Sequence, residues 1–150
     1  MKNSLLSQQL DALLENENNL VANLSNTSAL LAESLDDINW VGFYLYDEDQ
    51  NELVLGPFQG KVACMHIAIG KGVCGTAFSL QKTQRIKNVH EFPGHIACDS
   101  ASMSELVIPL SSNAKKWGVL DIDSPIASRF TEEDEKLIEE FVETLVKHLS

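Results

Sequence analysis

In the stretch Gly118-Val119-Leu120-Asp121-Ile122-Asp123, the last four residues alternate between apolar and acidic. In a β-strand, residues two apart share a face, so the apolar residues would point to one side and the two aspartates to the other. The segment Glu105–Leu110 precedes it, and the polar residues Ser111-Ser112-Asn113 between the two segments indicate a hairpin. The carboxylates that this hairpin would bring onto neighbouring strands are Glu105, Asp121 and Asp123.

A crowded group of carboxylates is costly unless its members meet a cation or share protons. Such a group suits a ligand that carries an ammonium group. The alternative is that this face of the hairpin is solvated, which is common in antiparallel sheets.

Helices are predicted at both ends of the chain. Leucines at three-to-four spacing predict two N-terminal helices, with a break at Asn16–Asn19. Thr131 and Asp134 resemble a capping box, and the apolar stripe that follows predicts a C-terminal helix.

Between these helices the sequence predicts strands and one short helix. The further strands are Trp40–Tyr46, Glu52–Leu55, Met65–Ile69 and Gln84–Lys87. Pro57 and Gly60 are expected to close the second of these strands into a loop, and Gly75–Leu80 is the short helix. The order of elements predicts an α+β sandwich of sheet and helices, as a single domain over residues 1–150.

Composition and charge exclude several classes of function. The 150 residues are 44% hydrophobic and carry a net charge of -11, which argues against binding nucleic acid or anionic membranes. The N-terminus lacks the basic and apolar segments of a signal peptide. Three cysteines without such a peptide indicate a reducing compartment, so we expect a cytoplasmic protein.

The three cysteines, Cys64, Cys74 and Cys98, all lie between Gly56 and Ser124. A thiol reacts as the thiolate, which a helix N-terminus or a positive group stabilises. The predicted helix starts just behind Cys74, and Cys98 lies in an irregular loop three residues after a histidine. Burial as a small apolar residue explains Cys64 and Cys74 equally well, but it explains Cys98 poorly.

A zinc site is a weaker alternative. Cys64 and His66 share a strand face in the predicted structure, and His95 and Cys98 are three residues apart. Structural zinc sites usually show tightly spaced ligand pairs, and no Cys-x-x-Cys occurs here. We therefore expect no metal site.

Trp40 and Tyr44 lie four apart on one predicted strand, so both side chains point to the same face. Most aromatic strand residues belong to the core. The alternative is an aromatic wall around an apolar or sulfur-bearing ligand.

Several motifs together resemble the GAF-domain free methionine-(R)-sulfoxide reductases over nearly the whole chain. The motifs are Trp40–Tyr44, Gly56–Gly60, Ala63-Cys64, Gly70–Ala77, Val89-His90, Gly94–Asp99, Ser104-Glu105 and Gly118–Pro125. Generic GAF domains that bind cyclic nucleotides or chromophores lack the three-cysteine set.

The resemblance implies a GAF-like fold with a central antiparallel sheet of about six strands and the N- and C-terminal helices on one face. It also implies a homodimer that reduces free methionine-(R)-sulfoxide without a bound cofactor.

By the same resemblance, Cys98 attacks the sulfoxide and becomes a sulfenic acid. Cys64 is the first choice for the cysteine that resolves it to a disulfide, Cys74 assists, and thioredoxin is the reductant. The residues that the resemblance assigns to substrate binding are Trp40, Tyr44, Glu105, Asp121 and Asp123. The competing hypothesis is a non-catalytic GAF sensor, which has no need of the thiol set.

Overall fold

The computed structural model describes residues 4–94 and 101–149. A six-stranded sheet runs through this part of the chain in the order β3-β2-β1-β6-β5-β4, and all neighbouring strands are antiparallel. The strands are β1 (Trp40–Asp47), β2 (Glu52–Gly60), β3 (His66–Ala68), β4 (Gln84–Ile86), β5 (Ser104–Ser111) and β6 (Lys116–Ser124).

Four α-helices accompany the sheet in the described residues: α1 (Leu5–Leu13), α2 (Leu20–Ser34), α3 (Gly72–Leu80) and α4 (Glu132–Lys147). Asn19 caps α2 by accepting a hydrogen bond from the backbone of Ala22. Thr131 and Asp134 form the predicted capping box of α4. None of these helices is both long enough and apolar enough to cross a membrane.

The two faces of the sheet carry different layers. Helices α1, α2 and α4 pack on one face, where Phe43, Leu120 and Ile122 join the main core. Helix α3 covers the other face, where Tyr44 and Val107 belong to a second, smaller cluster. The alternation along β6 thus sends Leu120 and Ile122 into the main core, while Asp121 and Asp123 face α3. The predicted α+β architecture, with a six-stranded antiparallel sheet and the N- and C-terminal helices on one face, is confirmed.

One predicted boundary was wrong in a way that affects the site. Helix α3 begins at Gly72, so Cys74 lies inside its first turn and not ahead of it. Gly75 is needed for another reason: a Cβ there would lie 2.5 Å from the backbone oxygen of Ala68. The glycine allows the helix to approach β3 closely, and the sequence pattern mistook it for a helix start.

Strand β2 also differs from the prediction, because it continues through Pro57 to Gly60. The register between β1 and β2 shifts between Gly42 and Tyr44, which marks a bulge. Proline has no N–H to donate, and a bulge is one of the few places in a sheet that tolerates it. The extended strand carries Phe58 and Gly60 to the aromatic side chain of Trp40.

Candidate active site

Three carboxyl groups lie side by side on the face of the sheet that α3 covers. Asp123 of β6 pairs with both Trp40 of β1 and Glu105 of β5, and Asp121 pairs with Gly42. Directly opposite residues of antiparallel strands share a face. Glu105, Asp121 and Asp123, hereafter the carboxyl cluster, are 7%, 5% and 9% exposed. The structure therefore brings together the carboxylates that the hairpin pattern singled out.

Helix α3 places the thiol of Cys74 directly over this cluster. Sγ of Cys74 lies 3.9 Å from Oε2 of Glu105, and one ligand atom each of Cys74, Glu105 and Asp121 lie within 4.8 Å of one another. Such a group could hold a metal ion, but the metal would have to displace the protons that these residues carry. In the described part of the chain, neither Glu105 nor Asp121 forms an ion pair with a basic side chain.

Burial raises the pKa of Glu105 well above its usual range, and the neighbouring charge of Asp121 raises it further. The pKa of Asp121 is raised by burial first and by the charge of Asp123 second. Like charges in a dry site disfavour full ionisation, so burial and crowding both favour a protonated carboxyl in the cluster. It can therefore serve as a general acid.

Asp121 also has a spare acceptor. Its buried Oδ1 has no hydrogen-bond partner among the described residues. An unsatisfied buried oxygen costs free energy until a donor reaches it. A ligand with an ammonium group would supply that donor.

Cys74 is a free, buried thiol. Burial raises its pKa well above the usual value, and the charges of Asp121 and Glu105 add to that effect. The first turn of α3 would by itself favour the thiolate, but burial and the neighbouring carboxylates outweigh it. The helix start therefore does not make the thiolate favourable here, and the assisting role of Cys74 stays a prediction.

Trp40 and Tyr44 are 3% and 2% exposed and lie beside the carboxyl cluster. Their rings stack with centroids 5.9 Å apart, and Phe58 also stacks on Trp40, with centroids 5.2 Å apart. Gly60 makes room for this arrangement, since a Cβ there would lie 2.5 Å from Cδ1 of Trp40. The roles of Phe58 and Gly60 were missed because the sequence pattern placed them in a loop.

The polar ends of both aromatic side chains reach the segment that carries Cys64. Nε1 of Trp40 donates to the carbonyl oxygen of Lys61 at 3.1 Å, and the hydroxyl of Tyr44 donates to that of Cys64 at 2.9 Å. Burial raises the pKa of Tyr44, and the charge of Asp121 raises it further, so the hydroxyl remains a donor. The two residues are core side chains that also border the site.

Cys64 itself is partly exposed and disulfide-bonded. His66, a member of the alternative zinc site, is engaged elsewhere: its Nδ1 lies 2.8 Å from Oε1 of Glu52. Cys98 and His95 lie outside the described residues. Their predicted roles therefore stay predictions.

The fold and site define a class of protein. A family model of the GAF domain matches residues 22–149. Two solved structures and one sequence are close to the chain along most of its length. The free methionine-R-sulfoxide reductase of Escherichia coli is 54% identical over 97% of this chain and 87% of its own sequence.

The structure of that reductase from Neisseria meningitidis, in complex with its substrate, is 43% identical. The match covers 95% of this chain and 85% of the Neisseria meningitidis chain, with a TM-score of 0.91. A substrate complex of fRMsr of Staphylococcus aureus is 53% identical, with coverage of 97% and 94% and a TM-score of 0.91. The chain belongs to the GAF-domain free methionine-(R)-sulfoxide reductase family. The predicted family is confirmed, and it is a family of enzymes.

The raised pKa values generate a stability prediction for Asp121→Asn. A carboxyl whose pKa is higher in the folded state makes folding less favourable as pH rises above the unfolded value of about 4. Asparagine keeps the shape and removes one buried ionisable group. We expect the variant to be more stable: its free energy of unfolding at pH 7 should exceed that of wild type by about 1 kcal/mol or more. The difference should vanish near pH 4.

Urea unfolding across this pH range measures the effect. Asp49→Asn, in the exposed turn after β1, is the matched control and should follow wild type at every pH. A variant at Asp121 that is less stable than wild type at pH 7 would show that the buried carboxylate is stabilising, contrary to this account.

Proposed function

We propose that this protein reduces free L-methionine-(R)-sulfoxide to L-methionine by thiol chemistry. The observation that carries the proposal is the carboxyl cluster, which is buried, has raised pKa values at Glu105 and Asp121, and borders two aromatic rings. Family membership supplies the reaction, and the relative from Neisseria meningitidis is described in complex with its substrate.

The carboxyl cluster accounts for the free amino acid as substrate. A buried anionic group favours a cation, and Oδ1 of Asp121 is available to accept a hydrogen bond from an ammonium group. The methyl and sulfur end of the substrate would rest against Trp40 and Tyr44, since sulfur makes favourable contacts with aromatic rings. A methionine sulfoxide within a peptide has no ammonium group to offer.

The same cluster accounts for the proton that the reaction needs. The Sγ thiolate of Cys98 attacks the sulfoxide sulfur, which is reduced as its oxygen leaves on Cys98 as a sulfenic acid. A protonated carboxyl of Glu105 or Asp121 would donate the proton that the sulfoxide oxygen requires. Methionine is then released.

Cys64 is the proposed resolving residue. Its thiol condenses with the sulfenic acid of Cys98, forming a disulfide and releasing water. The disulfide-bonded state of Cys64 and the free, protonated state of Cys74 support this order. A thioredoxin dithiol would return both cysteines to thiols by exchange, and Cys74 would assist in that recycling.

Three further features complete the proposal: a single domain over residues 1–150, assembly as a homodimer, and a cytoplasmic location. The location follows from the chemistry, because the catalytic cycle must end with reduced thiols and the cytoplasm supplies them.

A panel of substrates tests the proposed function. With thioredoxin and its reductase, the free R epimer should be turned over continuously and the S epimer should not. N-acetyl-L-methionine-(R)-sulfoxide loses the cation yet still desolvates the cluster, so its kcat/KM should be lower by roughly 10²-fold or more. Equal kcat/KM for the free and N-acetylated forms would refute the pocket assignment.

A cysteine series tests the roles of the thiols in a single turnover without reductant. Cys98→Ser should release no methionine, because a serine hydroxyl is a poor nucleophile at neutral pH. Cys64→Ser should release roughly one methionine per chain and accumulate a sulfenic acid that dimedone traps.

Cys74→Ser is the matched control in this series and should form the disulfide. Accumulation of sulfenic acid in Cys74→Ser but not in Cys64→Ser would reverse the resolving order. Stoichiometric methionine from Cys98→Ser would remove that residue from the mechanism.

A further inference from the structure

The segment of residues 61–65 joins β2 to β3, carries Cys64 and contains neither helix nor strand. In the described part of the chain, it is held at both ends. The indole of Trp40 donates to Lys61, the hydroxyl of Tyr44 donates to Cys64, and the backbone N–H of Leu55 donates to the carbonyl of Met65 at 2.9 Å. We call these residues the Cys64 segment.

Apolar packing contributes little to holding this segment. Ala63 packs against the second, smaller cluster, but Val62 and Met65 are 88% and 69% exposed. A segment with few buried apolar contacts is easily displaced unless hydrogen bonds hold it. The bonds from Trp40 and Tyr44 therefore contribute to its positioning, beside the bond from Leu55 to Met65 and the disulfide of Cys64.

The two donors are themselves rigidly placed. Both rings are buried, stacked on each other and paired through β1 with the central strand β6. Because burial raises the pKa of Tyr44, its hydroxyl favours the protonated form, which donates this bond. Donors that are held by the sheet thus restrain the backbone of Cys64.

We propose that Trp40 and Tyr44 are positioning residues for Cys64, in addition to any contact with substrate. By fixing the carbonyl oxygens of Lys61 and Cys64, they would hold the Cys64 thiol where it can meet the sulfenic acid of Cys98. This inference rests on the proposed function, in which Cys64 resolves that intermediate.

The step concerned is the condensation of the two cysteines. The Sγ–Sγ bond forms, the S–O bond of the sulfenic acid breaks, and the oxygen leaves as water with the thiol proton. The sulfoxide has already supplied the oxidising equivalents. The rate of this condensation depends on the effective concentration of the Cys64 thiol at the Cys98 sulfenic acid. That concentration falls when the Cys64 segment is released.

Tyr44→Phe tests the inference because it removes the hydroxyl and keeps the ring. Tyr46→Phe is the matched control: Tyr46 lies two residues along the same strand and its hydroxyl donates to Oδ1 of Asn51 at 2.7 Å, in the hairpin turn. Each variant loses one tyrosine hydroxyl bond, but only Tyr44 is bonded to the Cys64 segment.

Single-turnover quench experiments without reductant give two rates, methionine release and loss of the dimedone-reactive sulfenic acid. In Tyr44→Phe the ratio of the second rate to the first should fall about fivefold, the scale of one neutral hydrogen bond. Tyr46→Phe should keep the wild-type ratio. Trp40→Phe, which removes the donor to Lys61, should lower the ratio in the same direction.

A double-variant comparison separates positioning from a general structural effect. In a Cys64→Ser background, Tyr44→Phe should leave the slow loss of sulfenic acid unchanged, since there is no resolving thiol to position. An unchanged ratio in Tyr44→Phe, or an equal effect of Tyr44→Phe with and without Cys64, would overturn the inference.

A redox titration gives a readout that does not depend on sulfoxide chemistry. In a Cys74→Ser background, equilibration with glutathione measures how strongly the disulfide of Cys64 and Cys98 is favoured. Tyr44→Phe should lower that equilibrium constant about fivefold and Tyr46→Phe should not. If wild type releases no methionine from the sulfoxide, the proposed function fails. If wild type releases methionine but Tyr44→Phe changes neither the rate ratio nor the equilibrium constant, only the positioning inference fails.

Discussion

Burial of three carboxyl groups on one face of the sheet is the constraint on which the rest of this structure depends. Each ionised carboxylate taken out of water costs several kcal/mol unless it is paired. Here Glu105 and Asp121 have no basic partner among the described residues, so burial is possible only if protons are retained. Under the proposed function, such a retained proton would also serve the reduction of the sulfoxide. The burial that makes the carboxyl cluster costly in free energy would therefore also make it a proton donor.

The two-layer design of the fold makes this cost tolerable. Strand β6 is central, so Leu120 and Ile122 are fully buried against α1, α2 and α4 while the aspartates face α3. The large apolar core on that side offsets the penalty on the other. Active sites commonly give up stability in this way, and the predicted gain from replacing Asp121 is the expected sign of it.

The sequence predicted what depends on local period and failed where distant contacts decide. The alternation in β6 is a strict period of two, so the shared face of Asp121 and Asp123 could be predicted. The start of α3 could not, because the reason for Gly75 is its approach to β3. The extension of β2 past Pro57 depends on a bulge in the pairing with β1, and the bond from Tyr44 to the Cys64 segment joins residues twenty apart. The crowding that raises the carboxyl pKa values could be predicted from the hairpin, but their burial beneath α3 could not.

The most direct test of this account is whether the ligand-free protein holds a carboxylic-acid proton at neutral pH. Infrared difference spectra between wild type and Asp121→Asn or Glu105→Gln isolate the carbonyl stretch of a buried protonated carboxyl. If the carboxyl cluster holds a proton, wild type should show this band at pH 7 and at least one of the two variants should lose it. A wild-type spectrum that contains only ionised carboxylates at pH 7 would contradict the account, and the proton would then have to come from a group outside the cluster.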